Sequence, residues 1–230
     1  MHSTISSVDL VVPVKSLDAA KSRLRGAADG GLGEPEAHAR LALALAHDTV
    51  AAVRASSRVR HLLVVSSDPV IAAELGAVGV EVAPDGPVPG LNAAYEHGSA
   101  LLRRRDPTAA VGALQADLPA LRSAELDDAV GAALALFETT RSSRAFVADA
   151  EGTGTTFLLA APRVPLAPLF GADSARRHEE SGAWALVGDW PGLRRDVDTS
   201  DDLRDAADLG LGEHTRCVLA PTGGRGGCVT

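Results

Sequence analysis

The chain has 230 residues, 46% of them hydrophobic, and a formal net charge of −8 at neutral pH. That length can bury a sizeable core in one domain without a metal or disulfide staple. No apolar run reaches the ~18–20 residues of a membrane span, and the acidic balance argues against nucleic acid as a partner.

The first strand is expected at Val8–Val14 (VDLVVPV), a β-branched run suited to burial on both faces of a parallel sheet. A Gly-rich, charged loop runs to Gly33, and Pro35 opens a helix to about Arg54. His61–Val65 reads as a second strand, SSDP as the cap of a helix over Val70–Leu75, and Val78–Ala83 as a third strand. The Pro/Gly loop PDGPVPG leads into a helix over Asn92–Arg105. Ala109–Leu114 is a fourth strand, and Ser123–Phe137 a helix with Ser123 as its cap. Ala145–Ala148 and Thr156–Ala161 are strands around DAEGTGT. A short helix from Ser174, a strand near Leu193–Val197 and a helix over Ser200–Leu209 complete the domain, which is expected to span residues 1–219. Residues 220–230 read as a flexible Gly-rich tail. Strands alternating with helices predict a single α/β domain, Rossmann-like, with a mostly parallel sheet flanked by helices. Its ligands belong in the loops beyond the carboxyl ends of the strands.

Composition marks the first of these loops. Only two of the 22 basic residues are lysines, and both, Lys15 and Lys21, fall in VPVKSLDAAKSRLRG beside Arg23 and Arg25. Such a cluster after the first strand is either an oligophosphate clamp or a solvated basic loop. Neither GxxxxGK[ST] nor GxGxxG is present. Asp117, in LQADLPAL after the fourth strand, is placed to hold Mg²⁺ or to cap a turn. In RRDVDTSDDL, Asp198 could complete a metal site with Asp117, and Asp196 could be a second ligand or an arginine's partner; Asp201 and Asp202 suit the dipole of the last helix. GTGTT and FGADSARRH offer backbone, hydroxyl and guanidinium donors for a small anion. Gly90 and Asn92 either face a base ring and its edge or form an ordinary loop with an Asn cap. The histidines show no metal spacing. MHSTISSVDL lacks the order of a secretory signal, and Cys217 and Cys228 suggest no disulfide framework, which together point to the cytoplasm.

Taken in order, VPVKSLDAAKSRL, SSDP, PGLNAA, LQADLPAL, GTGTT, FGADSARRH and RRDVDTSDDL resemble the GT-A-like nucleotidyltransferases. More narrowly, they resemble the phosphoenolpyruvate and 2-phospho-L-lactate guanylyltransferase family of coenzyme F-420 biosynthesis. The resemblance runs from about Val8 to Leu219 and implies transfer of GMP from GTP to phosphoenolpyruvate, with Mg²⁺ as cofactor. It implies that Lys15, Lys21 and Arg23 hold the triphosphate and serve catalysis, and that Gly90 and Asn92 lie at the guanine. Asp117, Asp196 and Asp198 would hold the metal, and Thr156, Gly171 and Ser174 would bind phosphoenolpyruvate. The expected product is labile, which raises the prospect of hand-off to the next enzyme of the pathway.

Four other readings remain at this point. The same fold could use 2-phospho-L-lactate, or it could pass a cytidylyl or uridylyl group to a sugar or polyol phosphate. A GT-A glycosyltransferase usually carries DxD where this chain has Gln115-Ala116-Asp117. A non-catalytic nucleotide-binding regulator would have no need of the acids retained at Asp117 and in RRDVD.

Overall fold

A computed structural model describes residues 7–17, 24, 26–28, 31–140 and 142–220 of the chain. Lys21, Arg23, Arg25 and the stretch from 221 onward lie outside the described residues.

Seven strands form one sheet: β1 (Val8–Pro13), β2 (Val59–Val65), β3 (Glu81–Ala83), β4 (Val111–Leu114), β5 (Arg144–Ala148), β6 (Thr155–Ala160) and β7 (Trp184–Ala185). They lie in the order β3-β2-β1-β4-β6-β5-β7. Only β6 runs against the others, pairing antiparallel with β4 and β5. The sheet is therefore mostly parallel, as expected. Eight helices are described: α1 (Pro35–Ala55), α2 (Pro69–Ala77), α3 (Leu91–Arg105), α4 (Ser123–Thr139), α5 (Ser174–Glu180), α6 (Pro191–Arg194), α7 (Ser200–Leu209) and α8 (Glu213–Leu219).

Alternation along β1 explains why the sheet is covered on both sides. Leu10 and Val12 enter one apolar layer with Val50 and Val53 of α1, Ile71 of α2 and Leu126 and Val130 of α4. Val11 enters the opposite layer with Tyr95 and Leu102 of α3 and with Phe146, Phe170 and Ala175. A strand buried on both faces needs a continuous apolar run, which is what VDLVVP supplies.

Local signals place most helix starts. Asp68 caps α2, its Oδ1 accepting from the Val70 and Ile71 N–H groups. Thr199 and Asp202 form a reciprocal capping box at α7, which accounts for Asp202. At α4 the N-cap is Arg122, and Ser123 is the first helical residue.

The sequence reading fails where the signal is distant. The strand expected at Leu193–Val197 does not form. Glu125, buried on α4, instead accepts from the N–H groups of Gly192 (3.3 Å) and Leu193 (2.9 Å) and so caps the short α6. β7 was not anticipated, being two exposed residues beside β5. Nor was α8, whose cap comes from α1: the buried Asp48 carboxylate accepts from His214 N–H (3.0 Å) and Thr215 N–H (2.8 Å). Asp48→Ala is expected to lower unfolding stability by roughly 1–2 kcal/mol, the usual value of a lost cap. Urea denaturation measures this, and an unchanged midpoint would show that α8 needs no such cap.

Candidate active site

The strand order makes the β1/β4 junction a topological switch point, because the chain moves outward from β1 to β2 and β3 and then returns to β4 on the other side. Open α/β sheets bind ligands outside the carboxyl ends of the strands at such a junction. Lys15 is exposed there, two residues beyond β1. The neighbouring Leu17 N–H donates to Asp68 Oδ2 at 2.9 Å, which ties the first loop to the start of α2.

Asp117 is half-buried three residues beyond β4. Thr49 of α1 holds the turn from below: its hydroxyl lies 3.1 Å from the Ala116 carbonyl and accepts from Leu118 N–H at 2.9 Å. The residues on both sides of Asp117 are thus fixed by one buried side chain. Nothing in the local sequence marks Thr49, since the residues it holds are 67 and 69 positions away. On the other side, Val197 N–H donates to the Asp117 carbonyl at 3.1 Å. This bond brings RRDVD to the β4 edge, with half-buried Asp196 and exposed Asp198 flanking the bonded residue.

A further acidic group emerges at this edge. Carboxylate oxygens of Asp149, Glu151 and Asp196 lie within 4.8 Å of one another. An all-oxygen donor set of this kind fits a hard divalent cation. Asp149 and Glu151 were not singled out in the sequence, and both have other work. Asp149 accepts from Thr153 N–H (2.9 Å) and Gly154 N–H (2.7 Å), and Glu151 pairs with Arg195 at 2.7 Å. A side chain at Gly154 would collide with the Asp149 carboxylate, which explains the second glycine of GTGTT.

Antiparallel β6 brings its first residues to the same edge, where Gln115 N–H donates to the Thr156 carbonyl at 2.9 Å. Opposite β5 the register passes from Phe157 to Thr155 and skips Thr156, a bulge of the kind that re-aims side chains near active sites. Thr156 is fully buried, and among the described residues its Oγ1 has no hydrogen-bond partner. The segment after β6 is strained. Arg163, Ala167 and Asp173, the non-glycine residues with positive φ among those described, all lie between β6 and α5, and Gly171 sits at φ +120°. Such strain persists only where the surroundings enforce it, and it clusters at ligand-binding loops.

Three side chains enforce it here. Asn92 clasps the Phe170 backbone, its Nδ2 donating to the carbonyl (3.0 Å) and its Oδ1 accepting from the N–H (2.8 Å). Tyr95 stacks on Phe170 with ring centroids 4.5 Å apart. His178 is fully buried, and its Nε2 accepts from Leu169 N–H at 2.9 Å. That bond leaves the ring proton on Nδ1, which donates to Thr155 Oγ1 at 3.0 Å. Burial, reinforced by the charges of Arg144 and Arg177, pushes the His178 pKa down to about 4. Burial also pushes the Tyr95 hydroxyl up, with the charge of Asp117 adding to it.

The predicted residues therefore divide. Lys15, Asp117, Asp196, Asp198 and Thr156 meet at one edge, with Gly171 and Ser174 on the strained segment that follows β6. Ser174 is buried at the start of α5. Arg176 is occupied by Glu180 and Asp173. Gly90 is the N-cap of α3 at φ +115°. Asn92 caps nothing; both ends of its amide are engaged by Phe170.

This fold recurs among nucleotide-using transferases. A nucleotidyl transferase from Methanothermobacter superposes with a TM-score of 0.59 at 15% identity, over 88% of this chain and 97% of that one. A 4-diphosphocytidyl-2C-methyl-D-erythritol synthase from Anaerococcus prevotii superposes at 0.57 and 10% identity, over 88% and 95%. The architecture is one that nucleotidyltransferases share. No family model matches the chain. Curated relatives are far more similar in sequence. Phosphoenolpyruvate guanylyltransferase of Salinispora arenicola is 52% identical over 222 residues, covering 94% of this chain and 96% of that one. The Geodermatophilus obscurus enzyme of the same name is 51% identical, over 93% and 96%. At this identity and coverage, the chain belongs to the phosphoenolpyruvate guanylyltransferase family.

Proposed function

We propose that the chain transfers GMP from GTP to phosphoenolpyruvate, releasing pyrophosphate and forming enolpyruvyl-diphosphoguanosine for coenzyme F-420 biosynthesis in the cytoplasm. The observation that carries this reading is the near-full-length identity to relatives bearing that activity as their name.

A phosphate oxygen of phosphoenolpyruvate attacks the α-phosphorus of GTP in line. The bond from that phosphorus to the bridging oxygen breaks, and pyrophosphate leaves with the electron pair. The nucleophile is already ionised near neutral pH, so no general base is required. Catalysis lies in positioning two anions that repel each other and in neutralising charge on the leaving group. Lys15, together with Lys21 and Arg23, supplies positive charge to the triphosphate. Asp117, Asp196 and Asp198 would hold Mg²⁺, with Asp149 and Glu151 close to Asp196. Once bound, the cation neutralises phosphate charge and orients the reacting groups. Thr156, Gly171 and Ser174 seat the acceptor, and the unpartnered Thr156 hydroxyl is a ready donor for it.

Ser174→Ala is expected to raise the phosphoenolpyruvate KM about tenfold with kcat little changed, the signature of a lost ground-state contact. An unchanged KM would remove Ser174 from the acceptor site. The activity itself is tested by incubating the protein with Mg²⁺, each of the four nucleoside triphosphates, and phosphoenolpyruvate or 2-phospho-L-lactate. Pyrophosphate is followed and the product mass read. GTP-selective release with the enolpyruvyl product mass supports the proposal. Turnover with 2-phospho-L-lactate alone would move the acceptor, and preference for another base would overturn the donor.

A further inference from the structure

The fold leaves the nucleoside one side to occupy. The acceptor residues lie on the β4–β6 side of the switch point, so a donor with its phosphates over β1 and β4 extends across β2 and β3. A cavity of about 430 Å³ opens there, lined by Ser16, Leu17, Ala39, Val70, Asp68 and Asp85 among others. Leu17, Ala39 and Val70 supply the apolar walls that a flat ring needs.

Two carboxylates face this cavity, and their hydrogen bonding separates them. Asp68 is saturated: it accepts from the N–H groups of Leu17, Val70 and Ile71 and from the Ser16 side chain. Burial alone would raise its pKa, but these donors hold it below the ordinary carboxylate range. Asp85 is exposed and held in place reciprocally by Ser67. Ser67 N–H donates to Asp85 Oδ2 (3.2 Å), and Asp85 N–H donates to Ser67 Oγ (2.9 Å). Among the described residues nothing donates to its Oδ1. The side chain expected to read the base, Asn92, is committed to Phe170.

We propose that Asp85 is the guanine-reading residue, its carboxylate accepting from the base's N1–H and 2-amino group. The inference rests on the GTP donor proposed above and assigns its specificity. Of the four bases only guanine presents two adjacent N–H donors on this edge. Adenine and cytosine offer a donor beside an acceptor nitrogen, and uracil offers one N–H between two carbonyls. A carboxylate is an acceptor on both oxygens and so matches guanine alone.

Asp85→Asn tests this through a change of base rather than a loss. Xanthine carries a carbonyl where guanine carries its 2-amino group, and an amide donates to that carbonyl while accepting from N1–H. The variant is expected to lose on the order of 100-fold in kcat/KM for GTP and to gain a similar factor for XTP, with the phosphoenolpyruvate KM unchanged. A gain with XTP cannot come from misfolding. Retained preference for GTP over XTP would overturn the inference. So would loss of GTP use with no gain for XTP, which would put Asp85 somewhere other than at C2. The same comparison is read as binding, by displacement of a fluorescent guanine nucleotide from both proteins. If wild-type protein binds GTP but transfers nothing to phosphoenolpyruvate, the proposed reaction fails while the binding arm still judges Asp85.

Discussion

Asp117→Asn is expected to reduce turnover by at least about a thousandfold while leaving the fold intact, a loss of roughly 4 kcal/mol in transition-state stabilisation. The substitution keeps the shape of the side chain and removes only its charge. Two contacts that fix this turn do not involve that charge: Thr49 binds residues 116 and 118, and Val197 N–H binds the Asp117 carbonyl oxygen. A drop in rate would therefore report the carboxylate itself. The position matters because the proposed reaction joins two polyanions at one edge of the sheet, and the cation that would let them approach is proposed to sit on the carboxylates there. Pyrophosphate release at saturating GTP and phosphoenolpyruvate gives the rate, and far-ultraviolet circular dichroism with a urea midpoint checks the fold. A folded variant with near-normal kcat would take Asp117 out of the machinery.

The sequence was most legible where the physics is local. A doubly buried strand announces itself as an unbroken apolar run, as at Val8–Pro13, and a helix capped by its own Asp or Thr is visible at Asp68 and Thr199. The loops at the carboxyl edge were findable because strand ends are marked by the switch from apolar to polar residues, as before Asp117. What stayed hidden depends on partners far along the chain. α6 and α8 exist because Glu125 and Asp48 cap them across 67 and 166 residues. Nothing near Asp196 and Asp198 in the sequence shows that Val197 N–H between them bonds the Asp117 carbonyl. Asn92 showed the same limit: PGLNAA gives no sign that its amide closes on Phe170, 78 residues away. His178 looked like one scattered histidine among seven, because its partners, Thr155 and Leu169, are brought to it only by the strained segment.

That histidine carries the second large effect, on stability. The folded chain keeps His178 neutral down to about pH 4, whereas an unfolded chain protonates it near the ordinary 6.5. Between those values the unfolded state binds more protons, so stability rises with pH across the window. The contribution is complete above about pH 6.5 and is lost progressively as pH falls toward 4. Its size is on the order of 3 kcal/mol. The cause is structural: protonated Nε2 cannot accept from Leu169 N–H, and the buried ring would carry a charge beside Arg144 and Arg177. Urea unfolding of wild type and His178→Gln at pH 7.5 and 4.5 isolates this group from the other titrating residues. The wild-type protein should lose stability more steeply on acidification than the variant. The variant should also raise the phosphoenolpyruvate KM more than it lowers kcat, because Leu169 and Phe170 precede Gly171 on the segment proposed to seat the acceptor. Parallel pH dependences in the two proteins would show that His178 is not the group being protonated, and an unchanged KM would separate it from the acceptor loop.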